Sequence, residues 1–418
     1  VQPALGDSTL ETRILEIGRE VMDVSRASGP GMLSAAFWSD KLMDWAMQDE
    51  AFKAQLFRFV DAFPTLHTPE QIHDHLVDYL SQPGVTLPKG LGLGLRAGGM
   101  AKSTMTKTLT GQIHNMAGRF IAGRTIGDAL PEMERFWGKG IGSIINLLGE
   151  KCLSWTDADA ARDRYCQVIE ELAQRAEQWP SQPTLEHDHL GPVPRTKVSV
   201  KLTALHPRLN LSAFDHTVKE LSDSVMPILE TAKRRNVHIT FDMEHHALKE
   251  LTLAAFERCA EAVDGLSIGI VLQAYLRSGD DDAKRVVEWS KRTGRMISVR
   301  LVKGAYWDYE TTHADETGTR VPVWSRKHDT DACFERMAGI LLEACPKQTV
   351  DPGTKLALGS HNARSISATL ALAERHGLPE KAVEIQMLYG MGPELKAAMV
   401  ERGLAVREYV PVGEMIPG

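Results

Sequence analysis

From residue 144 onward, short apolar runs alternate with amphipathic stretches of helical period. The runs are IINLLGE (144–150), VSVKLTAL (198–205), HITFDME (238–244), IGIVLQAYL (268–276), MISVRLVKGA (296–305), LALGSH (356–361), VEIQMLYG (383–390) and VREYVPVG (406–413). Helical patterns separate them, as at 213–235, 283–291 and 364–375. Eight strands joined by helices predict an α/β fold, a closed parallel (β/α)8-type barrel over residues 139–418. Seven crossover helices are expected. The eighth run ends at residue 413 and the sequence at Gly418, so the pattern places the eighth barrel helix as absent from this chain.

The first third reads as helices of a different kind. Residues 10–27 and 31–63 carry apolar side chains at helical spacing, among them Phe37, Leu42, Trp45, Phe52, Leu56 and Val60. A shorter helix is predicted at Pro69–Leu80, with Thr68 as N-cap ahead of a proline at the first helical position. The Gly-rich stretch 87–105 (LPKGLGLGLRAGGMAKSTM) breaks the pattern, and helical period resumes through 108–137. The expected division is a helical arm at 1–85, a linker and helical cap at 86–138, and the barrel at 139–418. No strand precedes the glycines, so they lack the strand–turn–helix context of a dinucleotide fingerprint.

Along a strand, side chains alternate between the barrel lumen and the surrounding helices. In the second run Val198, Val200 and Leu202 oppose Ser199, Lys201 and Thr203. In the third, Ile239, Phe241 and Met243 oppose Thr240, Asp242 and Glu244. The same division recurs in later runs, with Glu384 and Gln386 opposing Ile385 and Met387. Branched apolar residues serve the helix side. Lys201, Asp242, Gln273, Arg300, His361, Gln386 and Tyr409 point inward near the C-terminal strand ends, where barrel active sites lie. One such residue would fit a buried structural ion pair. Seven convergent ones predict a functional pocket, since an apolar lumen would avoid the desolvation cost.

Composition narrows the partners. The net charge is −7, which gives no electrostatic reason to expect nucleic acid. Five scattered cysteines without a CxxC pair fit reduced cytosolic thiols rather than a disulfide framework or a zinc site. No uncharged apolar run reaches the roughly 18 residues of a membrane span, and no signal-peptide pattern opens the chain. HExxH and GxSxG motifs are missing. The pocket leans positive, with Lys201, Arg300 and Lys303 against Asp242 and Glu150, which suits an anionic ligand or a substrate carboxylate. Two chemistries fit these residues as they stand: a Schiff-base lyase or aldolase with Lys201 as nucleophile, and a non-catalytic binding scaffold.

Several segments resemble a known family. KLTALHPR (201–208), RLVKGAYW (300–307), SHN (360–362) and QMLYGMG (386–392) resemble signature segments of the proline dehydrogenase barrel, and YVPVGE (409–414) resembles its eighth strand. WSDKLMDWAMQDEAFKAQLFRFVDAFPTL (38–66) is similar to the helical arm of the proline utilization A family. The resemblance implies non-covalent FAD at the C-terminal mouth of the barrel. It also implies oxidation of L-proline to 1-pyrroline-5-carboxylate by hydride transfer to flavin N(5). Electrons would pass to a quinone, in a cytoplasmic enzyme with peripheral membrane contact and, in the longer protein, a C-terminal aldehyde dehydrogenase domain.

It further implies roles for particular residues. Arg300 lies near N(5). Val302, Lys303, Gly304, Ala305 and Trp307 hold the ribityl–pyrophosphate–adenine portion, joined by Ser325 (where a Thr is expected) and Lys327. Gln273 and Gln386 touch the isoalloxazine, and His361 and Asn362 line the cofactor. Lys201 pairs with the proline carboxylate, and Asp242 organises the cationic site beside the cofactor. Tyr306, Leu388 and Tyr409 pack on the proline ring, and Glu150 forms a gating ion pair. Asn146 stands where some relatives have Asp. The family's final helix, with an Arg-Arg pair for the substrate carboxylate, has no counterpart in the residues up to Gly418.

Overall fold

The structure is a computed structural model. It describes residues 8–27, 68–85, 121–149, 152–349 and 351–413, with isolated positions at 51, 55 and 58. The expected helix at 31–63 and the glycine-rich linker therefore lie outside the described residues.

Eight parallel strands close into a barrel: β1 (Ile141–Leu147), β2 (Lys197–Val200), β3 (His238–Phe241), β4 (Ile268–Gln273), β5 (Met296–Val302), β6 (Gly353–Gly359), β7 (Val383–Leu388) and β8 (Ala405–Val412). The strands follow one another around the barrel in chain order, and β1 closes on β8. The predicted runs overshoot these bounds at their C-terminal ends because the chain leaves the ladder there; after Val200 it turns into a short 3-10 helix at Leu202–Ala204.

The register explains the alternation. Ile145 pairs with Val198, Val198 with Ile239, and Ile239 with Ile268. On the other side Val299 pairs with Leu356, Leu358 with Ile385, and Ile385 with Val406. These buried branched residues make one belt against the helices. The intervening positions face the lumen.

Seven crossovers carry the outer helices. They are α4 (Trp155–Ala176), α5 (Phe214–Arg235), α6 (Lys249–Ala262), α7 (Gly279–Thr293), the pair α8 (Trp307–Thr317) and α9 (Lys327–Glu343), α10 (Ala363–Arg375) and α11 (Pro393–Glu401). Among the described residues three further helices precede β1: α1 (Ser8–Ala27), α2 (Pro69–Leu80) and α3 (Ile126–Gly138). The predicted start of α2 is correct: Thr68 accepts from Gln71 N, and Gln71 answers with the reciprocal bond of a capping box. Helix α3 packs on β1 and α4.

Helix α1 lies on α10 and α11 through a stripe of Leu10, Ile14, Ile17 and Val21. Its edge is pinned by charge. Glu11 accepts from Arg364 at 2.6 and 2.9 Å, Arg13 donates to Glu374 at 2.8 Å, and Glu20 accepts from Arg402 at 2.7 Å.

Candidate active site

Four polar side chains from four strands meet at the C-terminal end of the lumen. Lys201 follows β2, Asp242 follows β3, Arg300 lies in β5 and Tyr409 in β8. Asp242 is the hub. Its Oδ1 accepts from Arg300 Nη1 at 2.9 Å, and its Oδ2 accepts from the Tyr409 hydroxyl at 2.6 Å and from Lys201 Nζ at 3.4 Å. Lys201 also donates to Asn146 Oδ1 and reaches the Tyr409 hydroxyl at 3.5 Å. The other two faces of the guanidinium are held by Gln386 Oε1 at 2.6 Å from Nε and by Ser199 Oγ at 2.9 Å from Nη2. Its carbon lies 5.1 Å from the centroid of the Tyr409 ring.

This cluster is dry: Lys201 is 5% exposed, Asp242 7% and Arg300 6%. Among the described residues, Lys201 and Arg300 both pair with the carboxylate of Asp242. Burial, then the Asp242 charge, push the Tyr409 hydroxyl well above its ordinary pKa, so it stays protonated and donates. Two buried cations beside a protonated hydroxyl suit an anionic group.

The remaining expected residues ring this cluster. Gln273 donates to Glu244 O at 3.2 Å; its Oε1 lies beside the Tyr275 hydroxyl, but neither atom makes a hydrogen bond of normal geometry. Gly304 follows β5 at φ +135°, and a Cβ there would sit 2.4 Å from the Tyr275 ring. Only glycine lets the backbone approach this closely, so the segment Val302–Ala305 offers bare peptide at the rim. Lys303 and Lys327 share Asp331, and Trp307, 41% exposed, donates its indole N–H to Trp324 O at 2.8 Å. Ala305 and Ser325 are exposed. The Tyr306 ring centroid lies 4.4 Å from that of His245.

His361 accepts through Nε2 from Leu388 N at 2.9 Å, and its buried Nδ1 has no partner. Burial, then the Lys396 charge, lower its pKa, as an accepting imidazole requires. Asn362 is the N-cap of α10, its Oδ1 accepting from Ser365 N at 3.0 Å. The Leu388 side chain is exposed. Glu150 lies outside the described residues. Bare backbone at Gly304, two cationic side chains beside it and buried polar atoms left over at Gln273 and His361 fit an extended, polar, anionic cofactor.

A second polar cluster occupies the N-terminal half of the same lumen. Lys197 Nζ donates to both oxygens of Glu384, at 2.8 and 2.7 Å. Arg407 Nε donates to Glu384 Oε2 at 3.0 Å, Nη1 to Arg195 O at 2.8 Å, and Nη2 to Leu185 O at 2.8 Å and Pro194 O at 3.3 Å. His238 bonds Ser267 Oγ at 2.8 Å and Thr240 Oγ1 at 3.1 Å, and burial, aided by the Lys197 charge, holds it neutral. Gly142 makes room, since a Cβ there would sit 2.6 Å from Arg407 Nη1. Beneath lies a cavity of about 680 Å³, lined by the pairs Lys355–Asp188, Arg295–Asp264 and Lys197–Glu384 and by Lys381.

The family described as Proline dehydrogenase matches residues 129–418, and the Proline utilization A N-terminal domain matches residues 11–120. The Escherichia coli Bifunctional protein PutA is 30% identical over 308 residues, covering 71% of this chain and 22% of its own length. Proline dehydrogenase 1 of Bacillus subtilis is 28% identical over 298 residues, covering 71% of this chain and 82% of its own. The crystal structure of proline utilization A from Bdellovibrio bacteriovorus, inactivated by N-propargylglycine, superposes with a TM-score of 0.86 at 33% identity, over 96% of this chain and 40% of that one. The chain thus spans about a fifth of the bifunctional relatives it matches, 22% of the E. coli protein.

Proposed function

This chain belongs to the proline dehydrogenase family, and we propose that it oxidises L-proline to 1-pyrroline-5-carboxylate with bound FAD. The observation that carries the reading is the dry cluster in which Lys201, Arg300 and Tyr409 converge on Asp242. A substrate carboxylate would join the partners of its two cations. Lys201 supplies the point charge, and Asn146 and Asp242 fix the position of its ammonium. Tyr409, tied by its hydroxyl to Asp242, presents its ring as one wall for the proline ring, with Tyr306 and Leu388 completing the enclosure.

FAD bound along Val302–Ala305, with Gln273, His361, Asn362, Trp307, Ser325 and Lys327 around it, would supply the two-electron acceptor. Arg300 is locked on three faces before any ligand arrives, so its charge needs no reorganisation to stabilise negative charge developing above it. Electrons then leave to a quinone. Peripheral contact with a membrane quinone pool belongs to the same reading, and among the described residues no helix is long and apolar enough to cross a membrane. In the longer protein an aldehyde dehydrogenase domain would take the product onward.

The Schiff-base alternative is weaker: an ammonium whose hydrogens are engaged by Asn146, Asp242 and Tyr409 is a poor nucleophile. The experiment is anaerobic mixing of the FAD-loaded protein with L-proline. Bleaching of the flavin absorbance is expected. Well-folded protein that takes up no flavin, or bound flavin that proline leaves oxidised, would remove the assignment.

A further inference from the structure

Arg300 is held from below as well as from the substrate side. Its Nε donates to Gln386 Oε1 at 2.6 Å, and the same amide donates through Nε2 to Glu384 Oε1 at 2.7 Å. An amide presents a different atom to each neighbour. Turned over, Gln386 would set its NH2 against the Nε–H of Arg300 and its oxygen against the Glu384 carboxylate, two repulsions in a dry lumen. The carboxylate therefore decides which way the amide points. It is itself immobilised, because Lys197 donates to both of its oxygens and Arg407 to one, and Arg407 is clamped to three backbone carbonyls. A chain of hydrogen bonds thus runs from the barrel floor to the guanidinium.

We propose that Glu384 is a positioning residue, which, through the Gln386 amide, fixes the guanidinium of Arg300 at the level where cofactor and substrate meet. The inference rests on the flavin reading above and deepens it. Glu384 stands two residues below Gln386 on the same face of β7, its side chain 15% exposed towards the floor cavity, so it touches neither ligand. Its effect reaches the chemistry only through Arg300. Proline binding, which Lys201 governs, should change little, while the rate of flavin reduction falls.

The test compares FAD-loaded wild type with Glu384→Gln, Gln386→Leu and the double variant, each checked for folding by denaturant unfolding. Glu384→Gln should slow anaerobic flavin reduction by about tenfold, a fraction of the ~100-fold that a misplacement of about 1 Å can cost. The proline KM should stay within about twofold on the same geometric argument. The flavin midpoint potential should become more negative, since a less well-placed cation stabilises the reduced flavin less. Gln386→Leu should reproduce all three effects, and the double variant should be no worse than either single one. If Glu384→Gln proves unstable, Lys197→Met combined with Glu384→Gln carries the same test without the unpaired lysine. A folded Glu384 variant whose unfolding midpoint moves while rate and potential stay at wild-type values would overturn the proposal, as would effects that multiply in the double variant. A wild type that binds no flavin would sink the functional reading, and the role given to Glu384 with it.

Discussion

The two halves of the barrel lumen pose the same physical problem and solve it differently. Among the described residues each pairs two buried cations with a shared carboxylate: Lys201 and Arg300 with Asp242 above, Lys197 and Arg407 with Glu384 below. In the lower half every bond closes on the chain itself, and Arg407 spends its guanidinium on three backbone carbonyls and a carboxylate. In the upper half capacity is left over. The nearby Gln273 Oε1 and His361 Nδ1 are buried without a normal hydrogen bond. Buried charge is thus common to structural and functional clusters. Unspent hydrogen-bonding capacity beside the buried charges is what sets the upper cluster apart as the candidate site.

The sharpest way to break this comparison is to cut each cluster once. Arg407→Met strips the donor from three backbone carbonyls and one oxygen of Glu384. It should cost about 3–5 kcal/mol of stability, as for other broken buried pairs, read from denaturant unfolding. An unchanged midpoint would show that the lower cluster is not structural. Lys201→Met leaves Asp242 paired with Arg300, so stability should move by no more than about 1 kcal/mol. The kcat/KM for proline should fall by about 100-fold, the scale of ~3 kcal/mol for losing one side of a buried charge contact. The reverse pattern, a collapse in stability with kcat/KM retained, would exchange the roles of the two halves.

A smaller effect sharpens the picture at the rim. Gly304→Ala places a Cβ 2.4 Å from the Tyr275 ring at a φ of +135°. Relieving that strain, about 1–3 kcal/mol, requires the loop to shift. Flavin affinity should then fall by about tenfold, equivalent to ~1.4 kcal/mol. Titrating the apoprotein with FAD decides it; unchanged affinity would detach this loop from the cofactor.

How much of this was legible beforehand differs between the two halves for a physical reason. Alternation within apolar runs assigned Lys201, Asp242, Gln273, Arg300, His361, Gln386 and Tyr409 to the lumen, and hydrogen bonds join Lys201, Asp242, Arg300, Gln386 and Tyr409 there. Alternation does not report depth. Glu384 shares a face with Gln386, but nothing in the sequence separates a floor residue from one at the mouth. Lys197 and Arg407 open or nearly open their strands, at the polar edge where an apolar run begins, so the pattern passed over them. The first run was placed from 144, whereas β1 begins at Ile141, because Gly142 and Ser143 look unlike strand; Gly142 is small since Arg407 needs the space. Asn146, expected to be an uncertain contact, turned out to accept directly from Lys201. That pairing depends on β1 lying beside β2, which local pattern does not encode.

The smallest expected effect is also the most discriminating, because alkali should act on the two halves with opposite sign. Burial lowers the Lys197 pKa from 10.5 to about 8. Above pH 8 the folded chain releases this proton while the unfolded chain still holds it, so the unfolded state binds more protons and stability rises until about pH 10.5. Tyr409 does the reverse. Burial and Asp242 raise its pKa well above 10, so beyond pH 10 the unfolded chain ionises while the folded one cannot, and stability falls. Other buried groups titrate in the same range, so the useful quantity is the difference between wild type and a variant. Against Lys197→Met, wild type should gain about 1 kcal/mol between pH 8 and 9, the scale of one pKa unit. Against Tyr409→Phe it should gain nothing there and lose stability above pH 10. Urea midpoints measured across pH 7–10.5 test both signs. A Lys197 difference that stays flat from pH 8 to 10 would mean that Glu384 keeps the lysine fully charged, and the lower half would then be as strongly ion-paired as its geometry allows.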